Sequence, residues 1–339
     1  MRKTIISIGF VLLLGCGVQT VDQSANDVNP FFEAYGTEFN VHPFDRITPE
    51  HFVPALEEGM RRQGEEIDAI VNSPEAPTFE NTIVARDLSG ELLREVSKVF
   101  KALTGSNTND ELRQIQREMS PRLSAHRDEI QTNQALFERV RAVYDQRADL
   151  GLTAEQLYLL ENLYKGHVRA GALLADADQA TLKAINQRLS ELRVEFDQNL
   201  LAETNDFMLV IEDEADLAGL PDGAVVTAAD TAAKKGHEGR WVFTTHKPSM
   251  LPFLSYAENR ELRRQLYMAY IRRGGNGNEH DNTKIFAEIV RLRVEKARLL
   301  GYDSYADYIL VRRMAKSPDK VYELLDRLWD ASLPVAKRE

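Results

Sequence analysis

One cysteine, Cys16, stands among 339 residues, which excludes a disulfide framework and any zinc or iron–sulfur site built from several thiolates. Positive charge is also in deficit. The 42 Lys and Arg face 53 Asp and Glu, a formal net charge of −11, so a nucleic-acid partner, which needs a basic face, is not expected. Paired imidazoles are missing as well. The seven histidines (His42, His51, His126, His167, His237, His246 and His280) come no closer together than nine residues. A zinc site on one helix needs His at i and i+4 so that both nitrogens reach one ion, and that local motif is excluded, while ligands dispersed in sequence stay open. No Gly-x-Ser-x-Gly elbow occurs, so a nucleophilic hydrolase has no support.

The lone cysteine ends a leader-like segment. Met1-Arg2-Lys3 is basic, Ile5 to Leu14 is apolar but too short to span a bilayer, and Leu13-Leu14-Gly15-Cys16 resembles the bacterial lipobox. We therefore expect a lipoprotein signal peptide over residues 1–15 and acylation of Cys16. Residues 16–29 are polar and small, as a tether between lipid and folded body should be. The alternatives are a plain secretory signal or a buried cysteine in a helix. The expected location is the bacterial cell envelope, periplasm or outer membrane, with membrane contact through the lipid anchor only.

What the chain has in quantity is helical periodicity. Ile185, Leu189, Leu192 and Phe196 step by three and four, which keeps one stripe toward a core. The opposite face, with Lys183, Arg188, Glu191, Arg193 and Glu195, reads as solvated charge without chemistry. Similar patterns predict helices over 50–71, 80–103, 109–131, 134–148, 154–170, 256–272, 282–300, 304–314 and 318–338. Thr153, Ser304 and Ser317-Pro318 are helix starts, and Gly301 is a stop. Phe207–Ile211 and Trp241–Thr245 read as short strands flanking a helix near 224–235. The expected organisation is a helical region over 30–205, a small β-containing insertion over 206–246, and a second helical region over 247–339.

Several clusters carry no chemistry on their own. Gly274-Gly275-Asn276-Gly277-Asn278 is rich in glycine but lacks the following Lys-Ser/Thr of a phosphate cradle, and reads as a flexible turn. Glu212, Asp213, Glu214 and Asp216 lack the spacing of a calcium loop. Tyr267, Tyr270 and Phe286 follow helical spacing and read as core. Arg260, Arg263 and Arg264 read as structural ion pairs or solvated charge.

Ordered segments then point to a family. Asn29-Pro30-Phe31-Phe32, Pro43-Phe44-Asp45-Arg46-Ile47-Thr48-Pro49-Glu50-His51-Phe52-Val53-Pro54-Ala55 and Pro77-Thr78-Phe79-Glu80-Asn81-Thr82-Ile83 resemble the amino-terminal segments of bacterial peptidyl-dipeptidases of the thimet oligopeptidase family. Val168–Ala172, Phe196–Leu201, Ala257–Tyr267, Asp281-Asn282 and Leu292–Tyr302 are similar to its later segments. The resemblance implies a mostly α fold: a helical lobe of a two-lobed, channel-containing zinc peptidase, with a short β hairpin insertion. It implies removal of dipeptides from the carboxyl ends of short, unstructured peptides. It also implies a His-Glu-x-x-His helix that holds the zinc and supplies the general base, with a glutamate as third ligand.

None of those catalytic or metal residues is in this sequence, so the catalytic and metal roles fall on no residue here, and the substrate-binding residues are unknown. The family's metal helix lies in a carboxy-terminal half, and this chain stops within a helical pattern at Ala336-Lys337-Arg338-Glu339. The expectation is a truncated amino-terminal portion whose partner is the missing carboxy-terminal catalytic lobe. Alone it is expected to be inactive, without tightly bound zinc, and poorly stable. The alternatives are a non-catalytic helical peptide-binding or scaffold lipoprotein, and an endo-acting oligopeptidase of the same family.

Overall fold

The computed structural model describes residues 28–338, which divide into two compact units between Ile47 and Thr48. The leader, the tether up to residue 27 and the expected acylation at Cys16 lie outside the described residues. In the first unit, residues 28–47 form two single-turn helices, Pro30–Phe32 and Glu38–Asn40. Asn29 starts the first by accepting the Phe31 N–H at 3.1 Å.

The second unit is almost all helix. Its elements are α1 (Phe52–Val71), a wide π-type turn (Phe79–Val84) running into α2 (Ala85–Leu88), α3 (Glu91–Ser106), α4 (Asp110–Thr132), α5 (Gln134–Asp145), α6 (Ala154–Arg169) and α7 (Asp176–Asp206). Strand β1 (Leu209–Ile211), α8 (Asp222–Lys234) and β2 (Trp241–Phe243) follow, then α9 (Lys247–Tyr256), α10 (Arg260–Ile271), α11 (Thr283–Leu299), α12 (Tyr305–Leu310) and α13 (Pro318–Arg338). The fold is mostly α with one two-stranded sheet among the described residues. The strands pair antiparallel, Leu209 opposite Phe243 and Ile211 opposite Trp241, with α8 in the connection between them. No helix among the described residues is long and apolar enough to cross a membrane.

The stripes read from the sequence become the core. Ile185 and Leu192 of α7, with Leu189 and Phe196 beside them, pack against Ile285, Ile289 and Leu292 of α11. Phe79, Ile83, Val140, Val143 and Leu160 join the π-type turn to α5 and α6. Leu209, Ile211 and Phe243 of the small sheet close over Met250 and Phe253 of α9. Helices α1 and α3 approach closely because Gly59 has no side chain: a Cβ there would lie 2.8 Å from Leu93 Cα.

Starts and stops follow the expected chemistry. The Thr153 hydroxyl accepts the Gln156 N–H at 3.2 Å while Gln156 Oε1 accepts the Thr153 N–H at 2.9 Å, a reciprocal cap. Ser304 accepts the Asp307 N–H at 3.1 Å, and Gly301 takes φ +78° after α11. Two differences stand out. The helix expected over 80–103 is interrupted at Ser89-Gly90, where Gly90 turns left-handed at φ +74°. The helix expected over 256–272 starts at Arg260, as α10, and a further helix not expected from the sequence, α9, precedes it; Pro248 sits in the first turn of α9, where a missing N–H costs little.

Candidate functional site

Two adjoining cavities, of about 550 Å³ and 270 Å³, open where α4, α6, α7, α11 and α12 meet, and they share Arg127, Asn186 and Lys296. Helical spacing places the lining. On α11, Phe286, Ile289, Arg293 and Lys296 step by three and four, so one stripe begins apolar and ends cationic. On α7, Asn186, Leu189, Arg193 and Phe196 do the same from the facing side.

At the junction of the cavities a polar chain joins three helices. Asn186 Nδ2 donates to Asp128 Oδ2 at 2.9 Å, and Asn186 Oδ1 accepts from Lys296 Nζ at 2.5 Å. Asp128 is 6% exposed. Burial pushes its carboxyl above the ordinary range, against the pull of the Asn186 hydrogen bond and of the nearby Arg127 and Lys296 charges. Burial likewise pulls the Lys296 ammonium below the ordinary lysine value, with Asp128 opposing and Arg127 and Arg169 adding to the fall.

Tyr308 closes the smaller cavity. The Arg169 guanidinium lies 4.2 Å from its ring centre, donates to its carbonyl at 2.5 Å and reaches the Tyr302 hydroxyl at 3.1 Å. Burial raises the Tyr308 phenol above its ordinary value, which keeps it protonated at neutral pH. The smaller cavity thus gathers the cations Arg127, Arg169, Arg312 and Lys296 around the single carboxyl of Asp128.

A second polar centre is internal. The glycine-rich loop after α10 wraps the Glu203 carboxylate, which accepts the Gly274 N–H, Asn276 Nδ2 at 2.6 Å and Asn278 Nδ2 at 2.9 Å. Gly274–Asn278 is thus an anion cradle filled by the protein's own carboxylate. Burial alone would raise the Glu203 carboxyl, but the three hydrogen bonds together with the nearby His280 outweigh it and the net movement is downward.

Among the described residues no three His, Cys, Asp or Glu side chains gather as a metal would require. The described histidines have other neighbours: His126 meets Gln63 at 2.9 Å, His167 the Gln131 carbonyl at 2.8 Å, and His280 Asp206 at 3.3 Å. The zinc implied by the resemblance therefore finds no fit among these described residues.

Other sequence expectations resolve individually. Arg264 pairs with Glu261 at 2.7 Å, and Arg263 caps the Ala257 and Glu258 carbonyls, the latter at 3.1 Å. These residues border a shallow hollow of about 700 Å³ over α10, where their donors are already engaged. Tyr270 packs on the core as expected, but Tyr267 is 50% and Phe286 59% exposed. Both lie at the margin of a helical stripe, where a face turns from core to cavity. On α7, Arg188 is more than solvated charge: it grips both Glu288 oxygens, at 2.8 and 3.0 Å. Asp128, Asn186, Lys296 and Tyr308 went unnoticed in the sequence. The available signal was a cation pair, Arg293 and Lys296, continuing an otherwise apolar stripe.

Residues 253–339 match Peptidase family M3. The chain is 39% identical over 290 residues to a dipeptidyl carboxypeptidase of Salmonella typhimurium, covering 86% of this chain and 43% of that protein. It is 35% identical over 312 residues to a dipeptidyl carboxypeptidase of Escherichia coli, covering 92% and 46%. With oligopeptidase A of Haemophilus influenzae the identity is 32% over 315 residues, covering 92% and 45%. The chain spans a little under half the length of these curated relatives.

Proposed function

The chain belongs to the M3 peptidases, matching that family over residues 253–339 and dipeptidyl carboxypeptidases over most of its length, and we propose that it is the amino-terminal portion of a zinc-dependent metallopeptidase. That enzyme removes carboxy-terminal dipeptides from short, unstructured oligopeptides. The observation that carries this reading is the 39% identity over 290 residues to a dipeptidyl carboxypeptidase. The zinc and its ligands belong to a carboxy-terminal lobe, matching the part of the relatives this chain does not span, and the chain by itself is inactive.

Helix α13 supports a docked lobe. Among its described residues none is buried, and Leu324, Leu325, Leu328 and Trp329 are each at least half exposed. Such an apolar face is stabilised by covering it. The reading extends to location: Cys16 is acylated and holds the enzyme at the bacterial cell envelope, in the periplasm or at the outer membrane. The order of basic, apolar and small residues over 1–16 supports it.

The test begins with the reading frame beyond codon 339. We expect an in-frame His-Glu-x-x-His, and from the encoded protein a chelator-sensitive release of dipeptides from the free carboxyl end of a hexapeptide. A stop codon directly after Glu339 would sink the reading in favour of a scaffold lipoprotein. Internal cleavage of the same hexapeptide would favour an endo-acting oligopeptidase, which the 32% identity to oligopeptidase A supports as second reading.

A further inference from the structure

A third cavity, of about 460 Å³, lies between α6 and the segment that leads from α12 to α13, a volume suited to a small molecule. It borders the smaller cavity through Arg169 and Arg312, but none of Asp128, Asn186 and Lys296 lines it. On α6, Tyr158, Asn162, Lys165 and Arg169 step by four, three and four, so one stripe of that helix supplies a wall. Val311, Arg312 and Lys316 complete it from the other side.

Some groups in this lining are spent and others are spare. Tyr164 stacks on Tyr144 with ring centres 3.9 Å apart, and the Tyr302 hydroxyl accepts from Arg169. The Tyr158 ring, 70% exposed, has no hydrogen-bond, ring or cation partner among the described residues. The cations divide in the same way. Lys165 is paired with Glu161 at 2.6 Å, and Arg169 is committed to Tyr302 and Tyr308. Arg312 reaches only Asn162 Oδ1, at 3.5 Å, and forms no ion pair with the Asp128 of the adjoining cavity. The Lys316 ammonium has no partner among the described residues. Its backbone stands at φ +67°, a conformation that residues with a side chain rarely adopt, at the turn where the lysine borders the cavity.

A ligand that uses the spare groups has a flat ring to lay on Tyr158 and an anionic group for Arg312 and Lys316. A phosphate meets the second demand better than a carboxylate, since it carries about −1.5 to −2 charge near neutrality and offers three acceptor oxygens. One phosphate needs only this local pair of cations, whereas a polynucleotide needs a basic face that a chain of net charge −11 does not offer. We propose that this cavity binds a mononucleotide, with its base against Tyr158 and its phosphate at Arg312 and Lys316. The assignment needs no part of the peptidase reading above.

The test titrates the 339-residue chain by calorimetry with adenosine monophosphate, adenosine and inorganic phosphate. The monophosphate is expected to bind at least about tenfold more tightly than either of the other two, the equivalent of ~1.4 kcal/mol. Tyr158→Ala is expected to weaken the monophosphate at least about fivefold and to leave inorganic phosphate unchanged. Arg312→Gln and Lys316→Gln are each expected to weaken the monophosphate at least about threefold and to leave adenosine unchanged. All three residues are exposed, and circular dichroism of the variants should match the parent. Inorganic phosphate binding as tightly as the monophosphate would leave a simple anion site and overturn the nucleotide, and adenosine binding as tightly would remove the role of the cations. No measurable binding of the monophosphate, or undiminished binding by Tyr158→Ala or by both cation variants, would overturn the site itself.

Discussion

Asn276 donates its side-chain amide to the Glu203 carboxylate at 2.6 Å, tying the loop after α10 to the end of α7. With the Gly274 N–H and the Asn278 amide, the carboxylate has three donors while only 8% exposed. Glu203→Ala leaves those donors without an acceptor, and hydrogen bonds to a charged group contribute about 1.5–3 kcal/mol each before compensation by water. We expect a loss of about 2–4 kcal/mol in urea unfolding. Glu203→Gln should recover part of it, since one amide oxygen still accepts. The lowered Glu203 pKa contributes stability present above the ordinary glutamate value, lost as pH falls through the folded value. The wild type should therefore lose more stability below about pH 4.5 than Glu203→Gln.

Gly59 supports a second expectation. A Cβ there meets Leu93 Cα at 2.8 Å and Leu93 N at 3.0 Å, and backbone atoms cannot rotate away. Gly59→Ala gains helix propensity of about 1 kcal/mol but must push α1 and α3 apart. The overpacking wins, with a net destabilisation of about 1–2 kcal/mol expected from chemical denaturation. Gly64, with nothing within 4 Å of its Cβ position, is the control, and Gly64→Ala should stabilise by about 0.5–1 kcal/mol.

The helices were legible in the sequence because a single stripe decides them. Ile185, Leu189, Leu192 and Phe196 needed no distant partner to be read as one face, and Thr153, Ser304 and Gly301 are local chemistry. The candidate site was not legible for the opposite reason. Asp128 and Asn186 are 58 residues apart and Asn186 and Lys296 110, so no spacing rule brings them together. Helix α9 is hard to read because it holds two prolines: Pro248 fits the first turn, but Pro252 lies inside the helix, where local rules disfavour it. The glycine run at 274–278 looks like a flexible turn in sequence, since the carboxylate it wraps, Glu203, lies 71 residues from Gly274.

His167 gives the fold an acid sensitivity above the carboxylate range. It is 2% exposed, with Nδ1 2.8 Å from the Gln131 carbonyl. Burial lowers its pKa, against the opposing pull of that carbonyl. The unfolded chain then binds a proton near pH 6.5 that the folded chain refuses until lower pH. Stability is full above the ordinary histidine value and is lost as pH falls from there through the depressed folded value. His126, also lowered by burial, acts in the same direction. We expect the melting temperature to fall between pH 7 and pH 5, and His167→Gln to flatten that slope while lowering the melting temperature at pH 7. An equal slope in both proteins would remove His167 as the cause.

Lys296 and Asp128 share a cost, and removing either alone should expose it. The ammonium is disfavoured by burial and so is the carboxylate, with Asn186 bonded to both. Lys296→Met spares one desolvation but strips Asp128 of its cation and leaves Asn186 Oδ1 without a donor. Breaking one side of a buried charged arrangement costs more than replacing both sides. We expect Lys296→Met to lose about 1–3 kcal/mol at pH 7. In the double variant Asp128→Asn, Lys296→Met, two facing amides can exchange hydrogen bonds without any buried charge, and stability should return to within about 1 kcal/mol of the parent. Urea denaturation of the four proteins of this cycle measures the coupling. Additive losses, with no recovery in the double variant, would show that Asn186 does not connect the two charges energetically.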